Sequence, residues 1–137
     1  MRDENGKYVG TVEEWVRFAE TDLSSAKTLF EVHRPIPIEI VGFHSQQAAE
    51  KIIKAFLVSK DIIPEKTHEL HKLIKKCLKF NSEFKKFALE SDTLTQYAVP
   101  PRYPHELELE EYDAETAIKY ADRIMEFVKE LLDPPTD

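Results

Sequence analysis

Glycine and cysteine are both scarce, with three Gly and one Cys in 137 residues. Cys77 has no second thiol in the chain, which excludes an intramolecular disulfide. Few Gly and few alternating β-branched runs, set against abundant Leu, Ala, Glu and Lys, argue against sheet and for helices. No apolar run reaches the ~18 residues of a membrane span, and no segment has the form of a signal peptide. Phosphate-cradling Gly loops, nucleophile elbows and paired-Cys zinc patterns are also missing. The expectation is a soluble, cytoplasmic, all-α protein with no cofactor, no metal and no membrane partner.

Basic excess is missing as well. The net charge is −7, so a broad electrostatic grip on nucleic acid is not expected from the total. The distribution is uneven: seven Lys lie between Lys66 and Lys86 against Glu69 and Glu83, whereas Glu106, Glu108, Glu110, Glu111, Asp113 and Glu115 crowd a later stretch. A charge run of this kind usually marks a solvated face.

What the chain does contain is a central apolar helix, predicted over residues 38–58. At about 100° per residue, Ile38, Gly42, Ala49, Ile52, Ile53 and Phe56 share one face, and Val41, Ala48 and Ala55 widen it. His44, Gln47, Lys51 and Lys54 form a polar strip on the other side, expected to reach solvent or a polar partner. Gln46 projects among the apolar residues, where its amide needs hydrogen-bond partners.

The chain length favours one domain, with residues 1–10 as a flexible arm, 11–133 as the helical domain and 134–137 as a tail. Thr11 and Glu14 form a capping-box pattern that starts a first helix running to about Val32. Its predicted buried stripe is Trp15, Phe18, Ala19, Leu23, Ala26, Leu29 and Phe30, with Asp22 intruding near the centre of that face. A carboxylate placed there requires a partner on the central helix, with Gln46 the first candidate. Arg34-Pro35-Ile36-Pro37 makes a short link, so the first two helices are expected to form an antiparallel hairpin.

A third helix is expected to be capped by Thr67, with Leu70, Leu73, Ile74, Cys77 and Leu78 facing inward. Phe84, Phe87, Ala88, Leu94 and Tyr97 suggest a further helical piece. Pro100, Pro101 and Pro104 then rule out a continuous helix. Asp113 is the expected cap of a last helix, whose inner face carries Ala114, Ala117, Ile118, Ala121, Ile124, Met125, Val128 and Leu132. The predicted fold is an antiparallel up-and-down bundle of four main helices with a short extra helix.

The series W-V-R-F-A-E-T-D-L-S-S-A, F-H-S-Q-Q-A-A-E-K-I-I-K-A-F-L, T-H-E-L-H-K-L and R-Y-P-H followed by D-A-E-T-A resembles a HEPN domain over nearly the whole of residues 11–132. That resemblance implies a four- to five-helix bundle, commonly homodimeric, and two competing functions. One is a noncatalytic subunit that binds a nucleotide or works with a separate minimal nucleotidyltransferase, as in a toxin-antitoxin pair. The other is a toxin that cleaves RNA. RNA-cleaving members carry an Arg followed, after four to six residues, by a His near the start of the last helix. Here Arg102 precedes His105 by two intervening residues and Arg34 precedes His44 by nine, which counts against ribonuclease activity.

The candidate catalytic pair is therefore Arg102, able to stabilise a phosphate or oxyanion, and His105, able to act as a general base. The candidate ligand-binding residues are His44, Gln47, Lys51, Arg102 and Tyr103. His68 and His71 have one-turn spacing compatible with metal ligation, but no third ligand accompanies them. A purely structural helical adaptor is the remaining alternative.

Overall fold

The computed structural model describes residues 1–99 and 108–133. Its elements are α1 (Val12–Val32), α2 (Ile38–Ser59), α3 (Leu70–Cys77), a 3-10 helix (Ser82–Phe87), α4 (Ala88–Thr95) and α5 (Glu111–Leu132). No named strand occurs among the described residues; Arg2 and Tyr8 make an isolated antiparallel bridge.

Local chemistry sets the helix starts. Thr11 caps α1: its hydroxyl accepts from the Glu14 N–H at 3.1 Å, and the Glu14 carboxylate accepts from the Thr11 N–H at 3.1 Å. The α5 cap lies three residues earlier than expected. Glu110 is the N-cap and Asp113 sits at the third helical position, where its carboxylate accepts from the Glu110 N–H at 2.7 Å. Thr67 likewise does not cap α3, which begins at Leu70 after Glu69. The Thr67 hydroxyl instead accepts from the Glu69 N–H at 3.1 Å and shapes the approach to the helix.

Cross-helix contacts give the directions. Trp15 meets Lys54, while Asp22 meets His44 and Lys51, so α1 runs antiparallel to α2. The pairs Lys27–Asp122 and Glu20–Lys129 make α1 antiparallel to α5. Phe84 packs on Phe56, and Tyr97 lies against Gly42, so the segment from the 3-10 helix to the end of α4 descends along α2. The bundle is thus up-and-down, and its third position is filled by short helical pieces instead of one long helix. Asn81 interrupts the helical pattern there and caps the 3-10 segment by accepting from the Glu83 N–H at 2.9 Å.

α2 is the centre: it packs on α1, α3, α4 and α5. Val41, Ala48, Ala49, Ile52, Ile53, Ala55 and Leu57 are completely buried. Phe56, Phe84, Phe87 and Phe127 form a chain of tilted and edge-to-face rings, with centroids 4.9 to 5.2 Å apart. Cys77 belongs to this core, fully buried, and burial pushes its thiol pKa up to about 12.

Some predicted inward residues face outward. Phe18 is 49% exposed because it lies beyond the edge of the stripe that α1 buries, and its ring pairs with the Arg17 guanidinium at 5.2 Å. Leu78, just past the last turn of α3, is also exposed. Lys54, on the strip expected to reach solvent or a polar partner, meets the partner: it is buried with only 8% exposure and donates to Glu50.

Gly42 marks the closest approach between elements. A Cβ on its backbone would lie 2.5 Å from Tyr97 Cδ1 and 2.6 Å from Cγ. Those atoms are at the root of a buried ring that cannot easily yield. Gly42→Ala is expected to destabilise the bundle by about 1 to 3 kcal/mol despite the better helix propensity of Ala. Chemical denaturation checks this, and an equal or greater stability would contradict the close packing.

Candidate functional site

Two polar clusters interrupt the apolar surface of α2, and both have the same composition: one carboxylate, one His and one Lys. In the first, Asp22 projects from α1 to the edge of α2. Its Oδ1 lies 2.9 Å from His44 Nδ1 and its Oδ2 2.6 Å from Lys51 Nζ. The partner required by Asp22 is therefore on the central helix as expected, but it is the His44 and Lys51 pair rather than Gln46. The side chains of Asp22, His44 and Lys51 are 13%, 28% and 24% exposed, so the group sits at the border of solvent.

The second cluster is deeper. Glu50 is 4% exposed, and its Oε1 lies 2.8 Å from His68 Nδ1 while its Oε2 accepts from Lys54 Nζ at 3.0 Å. Buried Gln46 donates to Glu50 Oε1 at 3.2 Å and to the His68 carbonyl at 3.1 Å, and its own carbonyl accepts from Gln47 at 2.7 Å. The amide thus has the partners its position demands. Burial alone would raise the Glu50 pKa, but hydrogen bonds from His68, Lys54 and Gln46 and the Lys54 charge outweigh it and hold the carboxyl below the usual Glu value.

An ionised Glu50 carboxylate can only accept, so His68 Nδ1–H donates to it, from a side chain that is 59% exposed. His68 precedes the first residue of α3, so its spacing to His71 is not a helical one. Among the described residues, no group of three or more His, Cys, Asp and Glu is arranged to hold a metal ion.

An open groove of about 970 Å³ runs along the outer side of α1 and is walled at one point by His44. Its apolar lining is Val12 and Val16 at one end and Leu29 towards the other. Arg17, Thr21, Ser24, Ser25 and Thr28 add donors, and Glu13 and Glu20 add negative charge. Such a lining offers an apolar surface for a flat ring together with hydroxyl, imidazole and guanidinium donors for polar groups.

Of the predicted ligand-binding residues, His44 and Lys51 come together on Asp22, and His44 reaches the groove. Gln47 turns to Gln46. Arg102, Tyr103 and His105 lie outside the described residues. The sequence analysis does not single out Glu50 or Arg17, and it names His68 only for its spacing to His71. Glu50 was detectable in principle, because Gln46, Glu50 and Lys54 repeat at intervals of four and form one stripe. Nothing in the local pattern announced that a residue 18 positions later would close the cluster.

A helical bundle threaded on one buried central helix, with paired carboxylate and imidazole groups along it, defines the class of protein. The HEPN domain model matches residues 12–131, and the chain belongs to that family. It is 33% identical over 135 residues to "Putative toxin MJ1304" of Methanocaldococcus jannaschii, with 86% of each chain covered. Among solved structures it is similar to ST0689, an archaeal HEPN homologue (27% identity, TM-score 0.70, covering 90% of this chain and 99% of that one). TT1696 from Thermus thermophilus shares the fold at 21% identity and a TM-score of 0.75, covering 87% of this chain and 96% of that one.

Proposed function

We propose that this HEPN protein is a noncatalytic subunit that binds a nucleotide and pairs with a separately encoded minimal nucleotidyltransferase, in an arrangement of the toxin-antitoxin kind. The observation that carries this reading is the α1 groove walled by His44, whose ring is held by Asp22. In this reading the apolar lining takes the base, while Arg17 and His44 contact phosphate or ribose oxygens.

Arg17 gives the cleaner test. It is exposed and lines the groove, whereas Lys51 and His44 both pair with Asp22 and would disturb the α1–α2 contact if removed. Calorimetric titration with ATP should show binding that weakens about tenfold in Arg17→Ala, with the melting temperature nearly unchanged. Equal affinity in the two proteins would remove this groove as the nucleotide site.

Homodimerisation is part of the same proposal, supported by apolar side chains left outside the bundle: Phe18 is 49% exposed, Tyr112 63% and Val32 74%. Sedimentation at micromolar concentration should give twice the monomer mass of 16.0 kDa. A monomer throughout that range would defeat this part of the proposal.

The Methanocaldococcus jannaschii relative is named a "Putative toxin", which accords with a second reading as well, a toxin that cleaves RNA through Arg102 and His105. RNA cleavage by the purified chain that disappears in His105→Ala would establish it over the first.

A further inference from the structure

A separate small pocket of about 170 Å³ opens where four segments meet: the arm before α1, the start of α1, the C-terminal part of α2 and the loop leading to α3. Its walls are Trp15, Pro64, Val9 and Tyr8, and its cations are Lys7, Lys54 and Lys66, faced by Asp3 as the one carboxylate. The arm is held in place there. Trp15 Nε1–H donates to the Val9 carbonyl at 2.8 Å, and the Tyr8 hydroxyl donates to Glu14. Asp3 is occupied by its own turn, accepting from the backbone N–H groups of Asn5 and Lys7 at 3.0 and 2.8 Å.

Lys54 is the unusual member. Its side chain is 9% exposed, its ammonium lies 5.6 Å from the Trp15 ring centroid, and its one side-chain hydrogen bond among the described residues goes to Glu50. An ammonium has three N–H donors, so a cation lining this pocket keeps donor capacity that the described residues do not use. The pocket therefore combines a ring-sized apolar volume with a buried cation that is paired to Glu50 but has further N–H donors, and with two exposed cations. A volume near 150 Å³ holds one benzene-sized body.

We propose that this pocket binds a small planar anion, a ring-sized body bearing a carboxylate, with the ring against Trp15 and Pro64 and the negative group received by Lys54, Lys7 and Lys66. The site is distinct from the α1 groove, and its test does not involve that groove's residues.

Trp15 is the single Trp of the chain, so its fluorescence reports this pocket alone. The 137-residue chain is titrated with benzoate, with neutral benzamide and with inorganic phosphate. The expected result is a saturable change in Trp15 emission with benzoate, and responses at least about tenfold weaker for benzamide, which lacks the charge, and for phosphate, which lacks the ring. Lys7 and Lys66 are exposed, so their removal should leave the fold intact; Lys7→Ala/Lys66→Ala should weaken benzoate binding about tenfold, and each single variant should weaken it less. Absence of a saturable benzoate response overturns the proposal. So does equal binding of benzamide or phosphate, or benzoate binding unaffected in the double variant and in both single variants.

Discussion

Replacing Glu50 by Ala is expected to destabilise the protein by about 3 to 5 kcal/mol, because it leaves the nearly buried Lys54 ammonium without its counter-charge. Gln46 loses an acceptor and His68 loses the group that positions its ring in the same step. Equilibrium denaturation measures the effect, and a loss below about 1 kcal/mol would contradict the view of Glu50 as the hub of this cluster. Glu50→Gln, which keeps the shape, should cost less but should change the pH dependence. The folded state holds the Glu50 carboxyl below its ordinary value of 4.5, so the unfolded chain takes up the proton first as pH falls. The Glu50 contribution is therefore fully present above that value and is lost as pH drops through it towards the folded pKa. The stability difference between wild type and Glu50→Gln should shrink on acidification across this window. A difference that stays constant would show that the carboxylate is not the titrating group.

Ile53→Ala is expected to cost about 2 to 5 kcal/mol for a different reason. Ile53 is fully buried on α2, at the centre of the same core as Leu73, Phe84 and Ile124. Truncation removes apolar contact and leaves a cavity that the surrounding helices can only partly close. A melting temperature within error of wild type would mean that the position is not central.

The architecture was legible because periodicity reports burial directly. Ile52, Ile53 and Phe56 project onto one face, and the capping box of Thr11 and Glu14 marks a helix start by local chemistry alone. The third layer was harder to read. Short 3-10 and α-helical pieces carry too few turns for a period to separate inner from outer positions, as the exposed Leu78 at the end of α3 shows. Phe18 shows the other limit, since hydrophobic character says nothing of how wide a stripe the neighbouring helices cover.

At the polar sites, the sequence showed the demand without the supplier. Asp22 and Gln46 both needed partners, yet residues 22 to 29 positions away provide several of them, and single-helix projection carries no such information. The strip that carries Lys54 called for solvent or a polar partner, and projection on α2 alone does not say that Glu50, four residues earlier, is that partner.

The buried Cys77 makes the molecule its own clock. A thiol with no solvent exposure, its ionisation pushed up to about 12, presents almost no thiolate to an alkylating reagent at neutral pH while the core is closed. Modification must then wait for an opening that exposes the inner face of α3, and because the chain has a single Cys, every labelled molecule records that event. When closing is fast relative to labelling, the labelling rate reports the population of the open form; when the reagent is fast, it reports the opening rate itself. The time course of thiol labelling thus gives a residue-specific measure of core opening in the unmodified protein.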